Sequence, residues 1–111
     1  MDTRGLLLLL GAIVCEIFGT NALKASEGFT RPLPALLVII GYGTSFYLMS
    51  LSLRTIPLGI AYAIWSGLGT AVIAVIGVLL WREKLGAAGI IGIALIIAGV
   101  VLLNLFGEQR A

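Results

Sequence analysis

Histidine is absent from this 111-residue sequence, cysteine occurs once, and charged residues make up only 11% of it. The first absence excludes imidazole acid–base chemistry, histidine proton relays and His-ligated metals. A single Cys15 excludes an internal disulfide and a thiolate metal cluster. Seven Lys and Arg against five Asp and Glu leave a formal charge of +2, too small and too dispersed for a nucleic-acid surface. What fills the chain is apolar: 60% hydrophobic residues and a mean hydropathy of +1.17. Soluble domains are nearer 45–50% apolar and about 25% charged. This composition is that of an integral membrane protein.

Four apolar segments follow one another, at about 5–23, 34–53, 58–81 and 86–106, with short polar breaks between them. Each is long enough to cross a bilayer as a helix, which takes roughly 20 residues. Pro34 suits the first turn of the second segment, where a missing N–H is not needed. Trp81 closes the third as an interfacial aromatic followed by Arg82, Glu83 and Lys84. The breaks are too short for folded domains, so the spacing predicts one bundle of four antiparallel neighbours over residues 1–111, with both termini on one side. A cleaved signal peptide fits poorly: Val14 stands where a lipoprotein-type cleavage before Cys15 wants a small residue, and three more apolar segments follow.

Loop charge normally sets orientation. One side carries Arg4, Arg54 and Arg110, the other Lys24, Arg31, Arg82 and Lys84, which is almost no bias. Two readings fit. Either a single topology is weakly determined, or copies insert both ways and pair as an antiparallel dimer. Size argues for self-association in both cases, because four helices can hardly enclose a solute path.

Of the five acids only Glu16 lies inside a segment; Asp2, Glu27, Glu83 and Glu108 lie in loops or tails. An ionised acid near the centre of a membrane helix costs at least about 2.5–3.5 kcal/mol. No base lies deep within a segment, so the counter-ion must be a proton or a cation from outside. The alternative is a permanently protonated acid that ties helices together by hydrogen bonding.

Helical spacing then groups residues into faces. Gly19 and Thr20 share Glu16's stripe, and Gly19 admits the close approach of another backbone or a ligand. On the second helix Tyr42, Ser45, Met49 and Ser52 form one stripe. Its hydroxyls can bond a carboxylate and Met49 can pack an apolar ligand, or each serine bonds its own backbone. On the third helix Tyr62, Trp65, Ser66, Gly69 and Thr70 align. Aromatics beside an unpaired carboxylate suit a lipophilic cation; packing is the alternative for Trp65. Gly67 and Gly69 loosen the middle of that helix and make a candidate hinge. On the fourth helix Gly92 and Gly99, with Gly89, Ile96 and Leu103, repeat as a small-residue seam suited to helix–helix contact and dimerisation.

Several of these strings resemble the small multidrug resistance family: Glu16 within CEIFGT, the loop Ser26–Arg31, the run from Pro57 to Gly69, and the stretch Ile90–Asn104. The likeness covers nearly the whole chain. It implies an all-α membrane protein of four transmembrane helices, working as an antiparallel, dual-topology homodimer in the bacterial inner membrane. It implies export of cations in exchange for protons, driven by the proton gradient, with no cofactor and no enzymatic activity. By the same resemblance Glu16 is the shared proton and substrate carboxylate, flanked by Trp65 and Tyr62, with Tyr42, Ser45 and Thr20 at further binding positions. Gly67 and Gly69 match the kink, and Gly92 and Gly99 the dimer seam. Gly19-Thr20 looks like the quaternary-ammonium branch, since guanidinium exporters typically carry tryptophan where Gly19 stands. Leu6 occupies a place where multidrug members often have tyrosine, which leaves the substrate range open at that wall. A guanidinium-selective exporter, a small lipid-carrier flippase and a non-transporting membrane protein are the competing expectations.

Overall fold

The computed structural model describes residues 3–106; Asp2, Glu108, Arg110 and the polar tail at 107–111 lie outside the described residues. Four helices follow in order: α1 (Thr3–Ala25), α2 (Pro32–Ser52), α3 (Leu58–Leu80) and α4 (Ala87–Phe106). All four are long and apolar enough to span a membrane, where a helix satisfies its own backbone hydrogen bonds.

Proline and loop chemistry set the ends. α2 begins at Pro32 rather than Pro34, because Pro32 takes the first helical position after the extended Arg31. Pro57 precedes α3, and its carbonyl accepts the N–H of Ala61 at 2.9 Å. Between α1 and α2 the backbone turns through positive φ at Glu27, Gly28 and Phe29. The buried Ser26 hydroxyl holds that turn, donating to the Leu23 carbonyl and accepting the Phe29 N–H.

The packing departs from a closed bundle. The molecule is a slab of 46 × 35 × 16 Å, and extensive contacts join only α1 with α2, α1 with α3, and α3 with α4. The helices therefore stand in the order α2, α1, α3, α4. The core lies along α1: Leu9, Ala12 and Ile13 pack with Met49, Ile56, Ala61 and Ile64. No residue of α4 is buried. Length and period predict four spans correctly, but they carry no information on how the spans close, and one chain leaves its fourth helix attached by a single face.

The tightest approach is between α1 and α2. Gly19 and Gly41 are both buried, and a methyl on Gly41 would lie 2.8 Å from the Gly19 Cα and 3.1 Å from the Cys15 carbonyl oxygen. Backbone cannot yield as a flexible side chain can. Gly41→Val should therefore force the helices apart and destabilise the protein by about 1–3 kcal/mol, seen as a lower midpoint in thermal unfolding in detergent. Gly43→Ala on the same helix meets nothing within 4 Å and should leave the midpoint unchanged.

Candidate cation-binding site

Glu16 sits in the middle of α1, where the α1–α3 contact brings it against Gly69 of α3. A methyl on residue 69 would fall on the Glu16 Oε1, so the carboxylate keeps this position only while residue 69 is glycine. The other carboxylate oxygen, Oε2, accepts a hydrogen bond of 2.7 Å from Thr20 Oγ1, one turn along α1. Thr20 Oγ1 in turn lies 2.7 Å from the Tyr42 hydroxyl. A hydroxyl has one proton to give. Once Thr20 has donated to an ionised Glu16, it accepts from Tyr42, so the chain runs from α2 through Thr20 to the carboxylate.

A cavity of about 410 Å³ opens beside this group, lined by Glu16 and Thr20 from α1 and by Trp65, Ser66, Gly69, Thr70, Ile73 and Ala74 from α3. That volume falls within the roughly 300–1,000 Å³ of small-molecule sites. Its wall is mostly hydrocarbon and aromatic ring, its one charged group is a carboxylate, and no base lines it. Such a surface attracts a cation that carries apolar groups. The Trp65 ring extends an aromatic row: Tyr62 lies 5.4 Å from it, Phe46 6.0 Å, and Tyr42 stacks on Phe46 at 6.4 Å. Trp65 Nε1 is buried and has no hydrogen-bond acceptor among the described residues.

Other residues expected at a site lie elsewhere. Ser45 is fully buried and donates to the Ala12 carbonyl at 2.7 Å, so it fastens α2 to α1. Met49 belongs to the core cluster, and the Ser52 hydroxyl bonds the Met49 carbonyl. The α2 stripe is real, but α1 already covers it. Gly19 admits a backbone, that of Gly41 and Tyr42, and no ligand space opens beside it. Tyr62 touches Trp65 yet is 55% exposed and does not line the cavity. Gly67 faces Ile96 and Val100 of α4, so Ile96 is engaged within its own chain, while Gly92 and Gly99 have open space before them. Cys15 is half-buried and free.

Phe46, Ile73 and Ala74 were not expected from the sequence. Phe46 is four residues past Tyr42, and Ile73 four past Gly69, so both continue stripes that the polar residues mark. Beyond Thr20 a second polar cluster joins α1 to the end of α3. Trp81 Nε1 donates to Asn21 Oδ1 at 2.9 Å, and Lys24 pairs with Glu83 at 3.4 Å while lying over the Trp81 ring.

The Small Multidrug Resistance protein model matches residues 4–96. The chain belongs to the small multidrug resistance family. It is 53% identical over 108 residues to the quaternary ammonium compound-resistance protein QacE of Escherichia coli, covering 97% of this chain and 98% of that one. A putative ethidium bromide resistance protein of E. coli is 54% identical over 99 residues, covering 89% of this chain and 86% of its own. The multidrug resistance protein EbrB of Bacillus subtilis is 52% identical over 101 residues, covering 91% and 86%. With four membrane-spanning helices, this family member is a multi-pass protein of the bacterial inner membrane.

The hydroxyl chain gives a prediction for this family member. Tyr42→Phe leaves the Thr20–Glu16 bond but removes its outer donor. A net hydrogen bond is worth about 0.5–1.5 kcal/mol, so tetraphenylphosphonium affinity, measured by calorimetry, should fall by up to about tenfold without loss of fold.

Proposed function

We propose that the protein is a proton-coupled antiporter that exports quaternary ammonium and other lipophilic cations, acting as an antiparallel homodimer without a cofactor. One observation carries the reading: the Glu16 carboxylate, inside a membrane span, opens on a largely apolar cavity that Trp65 lines and no base does. Proton and cation then compete for one carboxylate, and mutual exclusion gives exchange. The relatives named for quaternary ammonium and ethidium resistance support the substrate class, since both names describe cations with apolar bulk.

Three features support a second copy. The cavity takes its walls from α1 and α3 alone, the Trp65 N–H lacks an acceptor among the described residues, and α4 exposes Ile91, Leu95, Leu102 and Leu105 alongside the open Gly92 and Gly99. The Lys and Arg of the two sides are also nearly balanced in the sequence, Arg4, Arg54 and Arg110 against Lys24, Arg31, Arg82 and Lys84. α3 is one unbroken helix through Gly67 and Gly69, and exchange of access between the two sides is assigned to bending there.

Proteoliposomes holding an acidic interior test the reading. The purified protein should accumulate tetraphenylphosphonium and ethidium against their gradients, and a protonophore should abolish the accumulation. Uptake of guanidinium in their place would put the protein in the small-cation branch. Uptake of neither would remove the antiport assignment.

A further inference from the structure

Arg4 and Arg54 are far apart in sequence but stand at the same membrane boundary. The α2–α3 connection folds onto the start of α1. Thr55 Oγ1 and the side chain of Ile56 occupy the space a Cβ of Gly5 would need, and Ile56 is 1% exposed. Backbone bonds from Thr55 and Ile56 to the Ser52 carbonyl, at 3.2 and 3.0 Å, hold the turn. The result is a cavity of about 370 Å³ lined by Arg4, Gly5, Leu8, Leu51, Arg54 and Thr55.

The chemistry of this cavity is opposite to that of the Glu16 site. It has two guanidinium groups and a hydroxyl, with no carboxylate among the described residues lining it. Neither arginine has an ion-pair partner among the described residues. At the other end of the molecule Lys24 pairs with Glu83 and Arg31 with Glu27, while Arg82 and Lys84 are likewise without an ion-pair partner among the described residues. Leu8 and Leu51 lie about one turn deeper in their spans and make an apolar floor under the charges. A cation substrate is repelled here. Guanidinium groups match phosphate oxygens in geometry and charge, and at this depth the neighbouring phosphates are those of lipid. Basic pockets between transmembrane helices at the interface suit anionic headgroups.

We propose that the Arg4–Arg54 cavity binds the phosphate of an anionic phospholipid headgroup, with Thr55 as a further donor and the first acyl carbons against Leu8 and Leu51. The site is distinct from the Glu16 cavity and does not depend on the transport assignment.

Native mass spectrometry of the full-length protein in neutral detergent tests it, using phosphatidylglycerol and phosphatidylcholine with matched chains. The wild type should retain phosphatidylglycerol in preference to phosphatidylcholine. Each arginine near an anionic surface is worth about fivefold in affinity, so R4Q/R54Q should lose about 25-fold. R82Q/K84Q, which removes two charges at the opposite end, should keep the preference. An unchanged elution volume on a sizing column shows that R4Q/R54Q is folded; if it is not, the single variants should each lose about fivefold. Equal retention of the two lipids would overturn the proposal, as would a preference that survives both substitutions. Arginine-dependent binding of inorganic phosphate without any preference for phosphatidylglycerol would also overturn it, assigning the site to a soluble anion.

Discussion

Glu16→Gln should abolish pH-gradient-driven cation uptake, reducing it to the level of protein-free liposomes. The substitution keeps the shape of the side chain and its bond to Thr20 but removes its only charge. A cation in the cavity beside Trp65 then has no counter-ion among the groups that line it. Breaking a buried charge pair by removing one partner costs about 3–5 kcal/mol, so tetraphenylphosphonium affinity should fall by at least about 100-fold. The variant should elute from a sizing column as the wild type does, because the core along Leu9, Ala12 and Ile13 is untouched. Uptake retained in Glu16→Gln would mean that cations cross by a route that bypasses this carboxylate. Glu16 would then be a structural hydrogen-bonding acid.

Gly69→Ala should impair binding itself. A methyl at residue 69 falls on the Glu16 Oε1, so the carboxylate must rotate away from α3 and out of its bond with Thr20. The flexible end of Glu16 makes that turn at the cost of a hydrogen bond worth about 0.5–1.5 kcal/mol, and tetraphenylphosphonium affinity should drop by up to about tenfold. Gly67→Ala is the control. Its methyl would meet only side-chain methyls, Val100 at 3.0 Å and Ile96 at 3.2 Å. Gly67→Ala should therefore keep near-normal affinity and slow uptake through its effect on α3–α4 packing. The sequence alone treats both glycines as one hinge. The contact with Glu16 separates them. Equal affinity loss in the two variants would contradict that separation.

The same contrast shows what period and composition can and cannot convey. Four spans, their approximate ends and a lone acid are legible because membrane helices are specified by local apolarity. The association of Glu16 with Trp65, Ser66 and Gly69 is legible in outline, since spacing on two helices puts the unusual residues on two stripes. Spacing says which residues share a face, however, and nothing about what that face meets. Ser45 and Met49 share Tyr42's stripe, yet α1 covers them, because Gly19 and Gly41 bring the two backbones into contact just there. Tyr42 reaches Glu16 only through Thr20. Ile96 belongs to the small-residue seam of α4 but is taken up by Gly67. The Trp81–Asn21 bond joins residues from separate helices, and no local pattern marks it. The open, slab-like arrangement is a tertiary property of the same kind, and it leaves α4 and one side of the cation cavity without cover from this chain.

The central claim is that a proton and a cation compete for Glu16. Proton release on binding tests it most directly. Tetraphenylphosphonium is titrated into weakly buffered, detergent-solubilised protein while the solution pH and the Trp65 and Trp81 fluorescence are followed. Displacement of a bound proton makes affinity rise with pH, by up to about tenfold per pH unit for each proton released. Wild type should release protons in step with binding, and Glu16→Gln should release none. Binding to wild type that releases no proton, with an affinity independent of pH, would contradict the account.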